Sequence, residues 1–432
     1  MTATTSGPTS AAEATRTRVL SETVVARTAL GVIALHVADD SFLQPQPGTS
    51  AGDHLVSGLV PLAVLVLAAW AYPRLRAGLR AVIALVLGGF GIVTGVEAVY
   101  YTTKRGPSGD DFTGLLALAA GVVLVGLGVV TLWRSRRRDG SRGRRYLRRS
   151  LLLVGGVAAV YVVLAPLYVS YIFTHVARGS VPEAELGTPH EEVSFTTSDG
   201  LELRGWYIPS KNRAAIIAFA GRRGPQRPAR MLARHGYGVL LFDRRGEGDS
   251  EGDPNIFGWA GERDIRAAVA FLQSRPDVDA NRIGGIGLSV GGEMMIEAAA
   301  ESDGLSAIVS DGAGIRSIRE ALAVSEMRKR FEGALVHAVV TPGVALFSNT
   351  MPPSSLEDLA GRIAPPPVFF IYAVPGQGGE AELTELYYEA AREPKEIWLV
   401  PGAGHTGGIE AQPEEYERRV VGFFDDALLG DR

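Results

Sequence analysis

The sequence contains no cysteine, and its net charge of −4 is small for a chain of 432 residues. The lack of cysteine excludes disulfide scaffolds, cysteine-ligated zinc, iron–sulfur clusters and thiol nucleophiles. A near-neutral charge argues against a dedicated nucleic-acid-binding protein, which carries a basic domain. We therefore expect no nucleic-acid partner. A chain of this length predicts two or three domains of roughly 100–200 residues each.

Charged residues are scarce in long stretches of the N-terminal part. Four apolar segments there have close to the ~20 residues that a helix needs to cross a bilayer. A fifth segment, Thr23–Val37, is shorter and contains Arg27 and His36. The pattern predicts a polar tail over residues 1–22 and a transmembrane helical domain of about five spans over residues 23–175. The four longer segments are Leu55–Tyr72, Ala81–Tyr101, Phe112–Trp133 and Ser150–Phe173.

Arginines are concentrated in the loops on one side of these segments. Nine lie between Arg134 and Arg149, and three lie between Arg74 and Arg80. Loops rich in Lys and Arg stay in the cytoplasm, so five spans place everything after Phe173 on the outer side. The arginines of the longer loop could instead bind nucleic acid. Because this loop lies between two predicted spans, we interpret its arginines as a signal that keeps the loop in the cytoplasm. We expect a multi-pass protein of the plasma membrane.

The pattern changes after about residue 190 to alternating strand-like and helix-like segments. Short apolar runs such as Ala214–Ala220 and Gly238–Phe242 are typical of buried parallel strands. Helical periodicity follows them, for example over Asp264–Ser274. This alternation predicts one α/β domain over residues 190–432, with a mostly parallel sheet covered by helices on both faces. Residues 316–364 form an insertion that is either a cap over the site or an ordinary helical excursion.

The strongest chemical signal is the segment Gly287-Leu288-Ser289-Val290-Gly291. A G-x-S-x-G match is weak alone, but here a predicted strand precedes it and a predicted helix follows. That context predicts a sharp turn that exposes the Ser289 hydroxyl as a nucleophile. The glycines are needed because side chains would clash where the strand and the helix pack around the serine. A glycine-rich structural turn with an incidental serine is the alternative.

A serine nucleophile needs a histidine base and a carboxylate that orients it. His405 follows the last predicted strand in a glycine-rich loop, whereas His337 lies in an apolar helical run and is expected to be packed. Glu380 is the first carboxylate after the strand Pro367–Tyr372, and we take it as the acid of the triad. Glu382 and Asp311 are its rivals.

An oxyanion hole needs two backbone N–H groups that point at the developing negative charge. The N–H of Val290, directly after the nucleophile, is the first candidate. The second should come from the loop after Ala214–Ala220, which makes Arg222 the candidate.

Three motifs resemble those of the alpha/beta-hydrolases, in the branch of the dienelactone hydrolases and the prolyl-oligopeptidase-like proteins. Asp243–Ser250 (DRRGEGDS) resembles the D-x-R-G-x-G-x-S loop, Arg282–Gly292 (RIGGIGLSVGG) the nucleophile elbow, and Pro401–His405 (PGAGH) the histidine loop. The resemblance covers residues ~190–432 and implies a serine triad on a mostly parallel sheet. The chain departs from the pattern with Ala220-Gly221 where the family has His-Gly, and with a glutamate as the acid. We assign the membrane part to no family.

The sequence thus predicts a membrane-bound serine hydrolase that cleaves a carboxylic ester through an acyl-enzyme on Ser289. Its expected partner is a small-molecule or lipid-like acyl substrate; peptide or thioester cleavage is less favoured. Two alternatives stay open: an acyltransferase with the same triad, and a sensor or transporter whose hydrolase-like domain only binds a ligand. No organic cofactor or metal is implied. The cluster of His36, Asp39, Asp40, Asp53 and His54 is interpreted as interfacial polar residues that cap helices; a divalent-cation site is the alternative, but the spacing matches no metal motif. The oligomeric state is open.

Overall fold

The computed structural model describes residues 8–106, 109–135, 141–374 and 376–430. Arg136, Arg137 and Arg138 of the arginine-rich loop, and the first seven residues of the tail, lie outside these ranges. The chain divides into two compact units. The first contains the residues up to Pro45, with Ser50–Ala177 and Leu346–Asn349; the second contains Gln46–Thr49, Arg178–Ala345 and the residues from Thr350 on.

The first unit is helical. Its helices are α1 (Pro8–Ala38), α2 (Leu55–Ala71), α3 (Ala77–Thr94), α4 (Val96–Arg105), α5 (Asp111–Arg134), α6 (Arg142–Ala159) and α7 (Ala165–Thr174). A short π-helical turn, Val160–Leu164, joins α6 to α7. The predicted spans lie on these helices. Five helical segments among the described residues of this unit are long and apolar enough to cross a membrane by length and composition: Ser21–Leu43, Leu55–Arg74, Ala77–Lys104, Asp111–Arg134 and Arg142–Thr174.

Glycines allow α3 and α5 to approach each other closely. A Cβ atom built on Gly88 would lie 2.8 Å from the carbonyl oxygen of Gly121, and one on Gly121 would lie 2.6 Å from that of Gly88. Small residues at such crossings let helix backbones pack tightly where hydrophobic burial drives little association, as in a bilayer. The side chains of α6, by contrast, are exposed at every position the structure describes.

The second unit is built on an eight-stranded sheet. Its strands are β1 (Glu191–Thr196), β2 (Glu202–Ile208), β3 (Ala215–Phe219), β4 (Gly238–Phe242), β5 (Ile283–Leu288), β6 (Ala307–Asp311), β7 (Val368–Val374) and β8 (Lys395–Pro401). The strand order is β1-β2-β4-β3-β5-β6-β7-β8. The first two pairings in this order are antiparallel, and those from β4 to β8 are parallel.

Helices cover both faces of this sheet. The helices after residue 178 are α8 (Gln226–Arg234), α9 (Gly261–Gln273), α10 (Val290–Glu301), α11 (Ile318–Ala323), α12 (Met327–Ser348), α13 (Leu356–Ala360), α14 (Glu380–Ala390), α15 (Gly408–Ala411) and α16 (Pro413–Phe424). One apolar core contains residues of α9, α10 and α14, and a second contains residues of α8 and α16. The central strands are buried on both sides because side chains alternate between these two cores. The predicted α/β class, after a helical N-terminal part, is confirmed.

Helix α12 lies in the insertion over residues 316–364 and is also apolar enough to be a span by composition. Strands β6 and β7, which precede and follow it, pair directly, with Ile308 opposite Val368. A single membrane crossing between them would place these two strands on opposite sides of the bilayer. Helix α12 therefore does not cross a membrane.

Candidate active site

Ser289 lies at the sharp turn between β5 and α10. Its backbone has φ +54° and ψ −123°, a conformation that costs energy for any residue with a side chain. A Cβ on Gly287 would lie 2.2 Å from the carbonyl oxygen of Gly291, and one on Gly291 would lie 2.6 Å from the Ala220 nitrogen. Both glycines are thus required by the close packing of β5, α10 and the end of β3 around the serine.

The structure brings three of the predicted residues into one hydrogen-bonded chain. His405 lies in the loop after β8, and its Nε2 is 2.9 Å from the Ser289 Oγ. Its Nδ1 is 2.7 Å from the Oε2 of Glu380, at the start of α14. Serine, histidine and carboxylate are therefore in the order and at the distances that a nucleophile, its base and the orienting acid require.

Glu380 is held by the backbone as well as by His405. The N–H of Ala373 donates to its Oε1 at 3.0 Å, and the N–H of Gln377 donates to its Oε2 at 3.2 Å. Burial acts to raise the pKa of Glu380, but the hydrogen bonds from His405 and these two N–H groups outweigh it and lower the pKa. In return, the bond to Glu380 is the main cause that raises the pKa of His405.

The two rival carboxylates have other partners. Glu382 accepts hydrogen bonds from the backbone N–H and the hydroxyl of Ser325. Asp311, at the end of β6, accepts a bond of 2.9 Å from the Tyr416 hydroxyl. Burial raises the pKa of Asp311 to about 7. Of the three candidate acids, the structure brings Glu380 to the histidine.

The predicted oxyanion donors differ in their availability. Val290 is the first residue of α10, so its N–H has no acceptor within the helix and lies at the positive end of the helix dipole. The N–H of Arg222, by contrast, donates to the Asp243 Oδ1 at 3.0 Å. In this structure the carboxylate that follows β4 occupies the N–H predicted as the second oxyanion donor.

Arg222 instead fixes the loops beside the site. Its guanidinium pairs with Asp243 at 2.6 Å and with Asp249 at 2.9 Å, and it lies 5.2 Å from the Trp206 ring centre. The hydroxyl of Ser250 donates to the Asp243 carbonyl at 2.6 Å. Through these ion pairs and this hydrogen bond, the D-x-R-G-x-G-x-S motif fixes the loop after β4 against the loop after β3.

Sequence reasoning missed a buried charged cluster next to the elbow. Arg316, in the loop after β6, pairs with Glu293 at 3.0 Å and with Glu297 at 2.5 Å. Both glutamates lie on α10, one turn apart. The sequence pattern that could have predicted this cluster is the pair of acidic residues at i and i+4 on the helix after the nucleophile.

Within the part of the chain that the structure describes, no group of three or more His, Asp or Glu residues is arranged to hold a metal ion.

Several known proteins are similar to this chain. A family model described as X-Pro dipeptidyl-peptidase (S15 family) matches residues 179–334. The chain is 30% identical over 283 residues to the Uncharacterized protein MT2364 of Mycobacterium tuberculosis, a match that covers 61% of this chain and 91% of that protein. It is 25% identical over 281 residues to the polyketide transferase grgF of a Penicillium species, with 54% and 96% covered. The esterase Pf2001 of Pyrococcus furiosus is a structural neighbour at 24% identity and a TM-score of 0.49, over 60% of this chain and 99% of that one.

Proposed function

We propose that this chain, which belongs to the alpha/beta-hydrolase family, is a membrane-bound serine hydrolase that cleaves carboxylic esters. The observation that supports this proposal most directly is the hydrogen-bonded chain from Ser289 through His405 to Glu380, at 2.9 Å and 2.7 Å. A merely ligand-binding relative would have no need for a serine in the strained conformation at the tip of β5.

The geometry supports a two-step reaction. The Ser289 Oγ attacks the ester carbonyl carbon while its proton passes to the Nε2 of His405, and the carbonyl becomes an oxyanion beside the N–H of Val290. The intermediate collapses, the C–O bond to the alcohol breaks, and the alcohol leaves with the proton from His405. Water then attacks the acyl-enzyme, with His405 as the base again, and releases the acid and free Ser289. Glu380 stabilises the imidazolium in both steps.

The first unit supports a multi-pass membrane location. Five helical segments before residue 175 are long and apolar enough to span a bilayer, and the loops at Arg74–Arg80 and Arg134–Arg149 carry the arginines. An odd number of spans with these loops in the cytoplasm delivers the catalytic unit to the outer side. The proposed substrate is thus an extracytoplasmic or membrane-derived ester.

Acyl transfer is a second candidate, because grgF is described as a polyketide transferase. Hydrolysis and transfer share the acyl-enzyme and differ in whether water or another nucleophile removes the acyl group. Amide cleavage is a further alternative, because the family model that matches residues 179–334 describes X-Pro dipeptidyl-peptidases.

The test uses the purified full-length protein in detergent or nanodiscs with p-nitrophenyl acetate, alanyl-prolyl-p-nitroanilide and a fluorophosphonate probe. We expect ester turnover and covalent labelling, both lost in Ser289→Ala, and little turnover of the anilide. Added alcohols or thiols at millimolar concentration should leave the acid as the main product; an acyl product on the added nucleophile would favour the transferase. Absence of both turnover and labelling in the wild-type protein would overturn the enzymatic proposal.

A further inference from the structure

A short piece of the loop between α1 and α2 belongs to the second unit. The segment Gln46–Thr49, which we name the strap, precedes the second predicted span in the sequence, yet it groups with the residues from Arg178 on. The residues of that loop on either side of the strap group with the helices of the first unit. The strap is therefore part of the catalytic unit, although the sequence places it within the predicted membrane domain.

The strap is hydrogen-bonded to the loop that follows β4. The N–H of Gly252 donates to the carbonyl oxygen of Pro47 at 2.8 Å. The guanidinium of Arg178 joins the same two segments, since its Nε donates to the Gln46 Oε1 at 3.3 Å. Its Nη2 donates to the Gly252 carbonyl at 2.6 Å, and its Nη1 donates to the Ser250 carbonyl. Three donors of one planar group thus bind three acceptors, an arrangement that a lysine cannot reproduce.

Gly48 lets the strap lie close to this loop. Its φ is +78°, a conformation that residues with a side chain rarely adopt, and a Cβ built on it would lie 2.7 Å from the Cβ of Glu251. Gly52, four residues on, is under no such restriction. A Cβ built there would lie 3.4 Å from the Ser50 hydroxyl, which is an ordinary contact. The close approach of the strap therefore requires glycine at position 48.

The loop after β4 connects the strap to the backbone beside the nucleophile. The buried hydroxyl of Ser250 donates to the Asp243 carbonyl at 2.6 Å. The Asp243 carboxylate in turn accepts hydrogen bonds from the backbone N–H and the guanidinium of Arg222. Arg222 closely follows Ala220, whose nitrogen would lie 2.6 Å from a Cβ on Gly291 of the elbow. A shift of the loop at Ser250 would therefore also shift the backbone that packs on the elbow.

We propose that the strap and Arg178 are positioning residues of the hydrolase. They hold the loop after β4 where Asp243 can fix Arg222, and with it the backbone beside Ser289. This proposal rests on the proposed function. A displacement of about 1 Å near the reacting atoms can lower a rate by about 10²-fold, so the strap can set the turnover rate without touching the substrate. The first loop of the membrane domain is then a working part of the catalytic unit.

This contact requires the strap and the rest of the catalytic unit to lie on the same side of a membrane. Four predicted spans separate them in the sequence, and an even number of crossings returns the chain to the side that it left. The loops at Arg74–Arg80 and Arg134–Arg149 follow the strap after one and three crossings, so both lie on the opposite side. This agrees with cytoplasmic arginine loops, and it does not depend on whether Thr23–Val37 crosses.

The first test adds one methyl group to the strap. Gly48→Ala forces the strap away from Glu251, so kcat for p-nitrophenyl acetate should fall about tenfold while KM changes by less than about twofold. The kcat is expressed per active site, counted with the fluorophosphonate probe, so that unfolded protein does not contribute. Gly52→Ala in the same loop is the matched control and should keep the wild-type kcat. Equal kcat per site in the two variants would overturn the positioning role.

The second test concerns Arg178. Arg178→Ala should lower kcat per site by about tenfold, and Arg178→Lys should restore only part of it, because an ammonium group lacks the planar fork of donors. The double variant with Gly48→Ala should be little worse than either single variant, since both release the same loop. An arginine with a merely structural role would lower the melting temperature and leave kcat per site unchanged, which would overturn the proposal.

The third test follows the contact without catalysis. In hydrogen-exchange mass spectrometry of the full-length protein in nanodiscs, the amides of residues 246–253 should exchange faster in Gly48→Ala than in wild type or Gly52→Ala, because the Gly252 N–H loses its acceptor. Ala51→Cys, exposed beside the strap, should react with a membrane-impermeant maleimide on the same side as Asp303→Cys. Equal exchange in the three proteins, or labelling on opposite sides, would overturn the contact.

The two levels of the proposal fail separately. If the wild-type protein neither hydrolyses the ester nor reacts with the fluorophosphonate, the proposed function is wrong, and the positioning role is wrong with it. The exchange and labelling results still decide the contact by themselves in that case. If the wild-type protein is active but Gly48→Ala and Arg178→Ala keep its kcat per site, the proposed function stands and the positioning role is wrong.

Discussion

The Oε2 of Glu380 lies 2.7 Å from the Nδ1 of His405, although 25 residues separate them in the sequence. They meet because β7 and β8 are parallel neighbours, so the loops that follow them leave the same edge of the sheet. Ser289 follows β5 at that same edge, as expected of catalytic residues in open α/β sheets. The strand order therefore assembles the site.

The first prediction concerns the nucleophile and its base. Ser289→Ala and His405→Ala should each lower kcat for p-nitrophenyl acetate by about 10³-fold or more, and the double variant should be no worse than either, because the two act as a unit. Steady-state kinetics on purified full-length protein provide the measurement. Losses that multiply in the double variant would contradict a shared role.

The second prediction compares the three carboxylates. Glu380→Gln should lower kcat by about 10³–10⁴-fold, since the amide no longer holds the imidazole in the correct tautomer or stabilises its charge. Glu382→Gln is the matched control two residues away, and it should change kcat by less than about threefold because Glu382 binds Ser325. If Asp311→Asn lowered kcat more than Glu380→Gln, the acid would lie after β6.

The third prediction is the pH dependence of ester hydrolysis. A base works only when it is deprotonated, so kcat/KM should rise as the pH rises through the pKa of His405. The hydrogen bond to Glu380 raises that pKa above its usual value of about 6.5, and the acidic limb should therefore lie above pH ~6.5. In Glu380→Gln the limb should move to lower pH. A limb at the same pH in both proteins would contradict the pairing.

The fourth prediction is that Asp311 destabilises the folded protein at alkaline pH. Its pKa is about 7 when folded, against about 3.9 for a free aspartate, so the folded state binds the extra proton between these values. This contribution to stability falls as the pH rises through that window. Asp311→Asn should thus raise the melting temperature more at pH 8 than at pH 5. Tyr416→Phe, which removes the hydroxyl that donates to Asp311, is the comparison variant. An equal change in melting temperature at both pH values would contradict the raised pKa of Asp311 in the folded protein.

The fifth prediction uses the lack of cysteine to test topology. A single introduced cysteine is the only target for a membrane-impermeant maleimide in this chain. Asp303→Cys, exposed in the catalytic unit, should be labelled on intact cells, whereas Ser141→Cys, exposed beside the arginine-rich loop, should be labelled only after permeabilisation. The opposite pattern would place the catalytic unit in the cytoplasm.

The sequence by itself determined those features that depend on neighbouring residues. The apolar segments predict the helices of the first unit because their length and composition are local properties. Gly287 and Gly291 mark the elbow because a turn that tight leaves no room for a Cβ, wherever the rest of the chain lies. The strand-and-helix alternation likewise predicted the α/β class.

Only the tertiary structure decided how distant residues pair. The sequence offered Glu380, Glu382 and Asp311 as acids, and the choice depended on which carboxylate reaches His405 and which is taken by Ser325 or Tyr416. The sequence also placed Arg222 in the oxyanion hole, but its N–H donates to Asp243, which directly follows β4, the strand beside β3 in the sheet. Such competition for hydrogen bonds involves groups far apart in the chain, and no local pattern records its outcome.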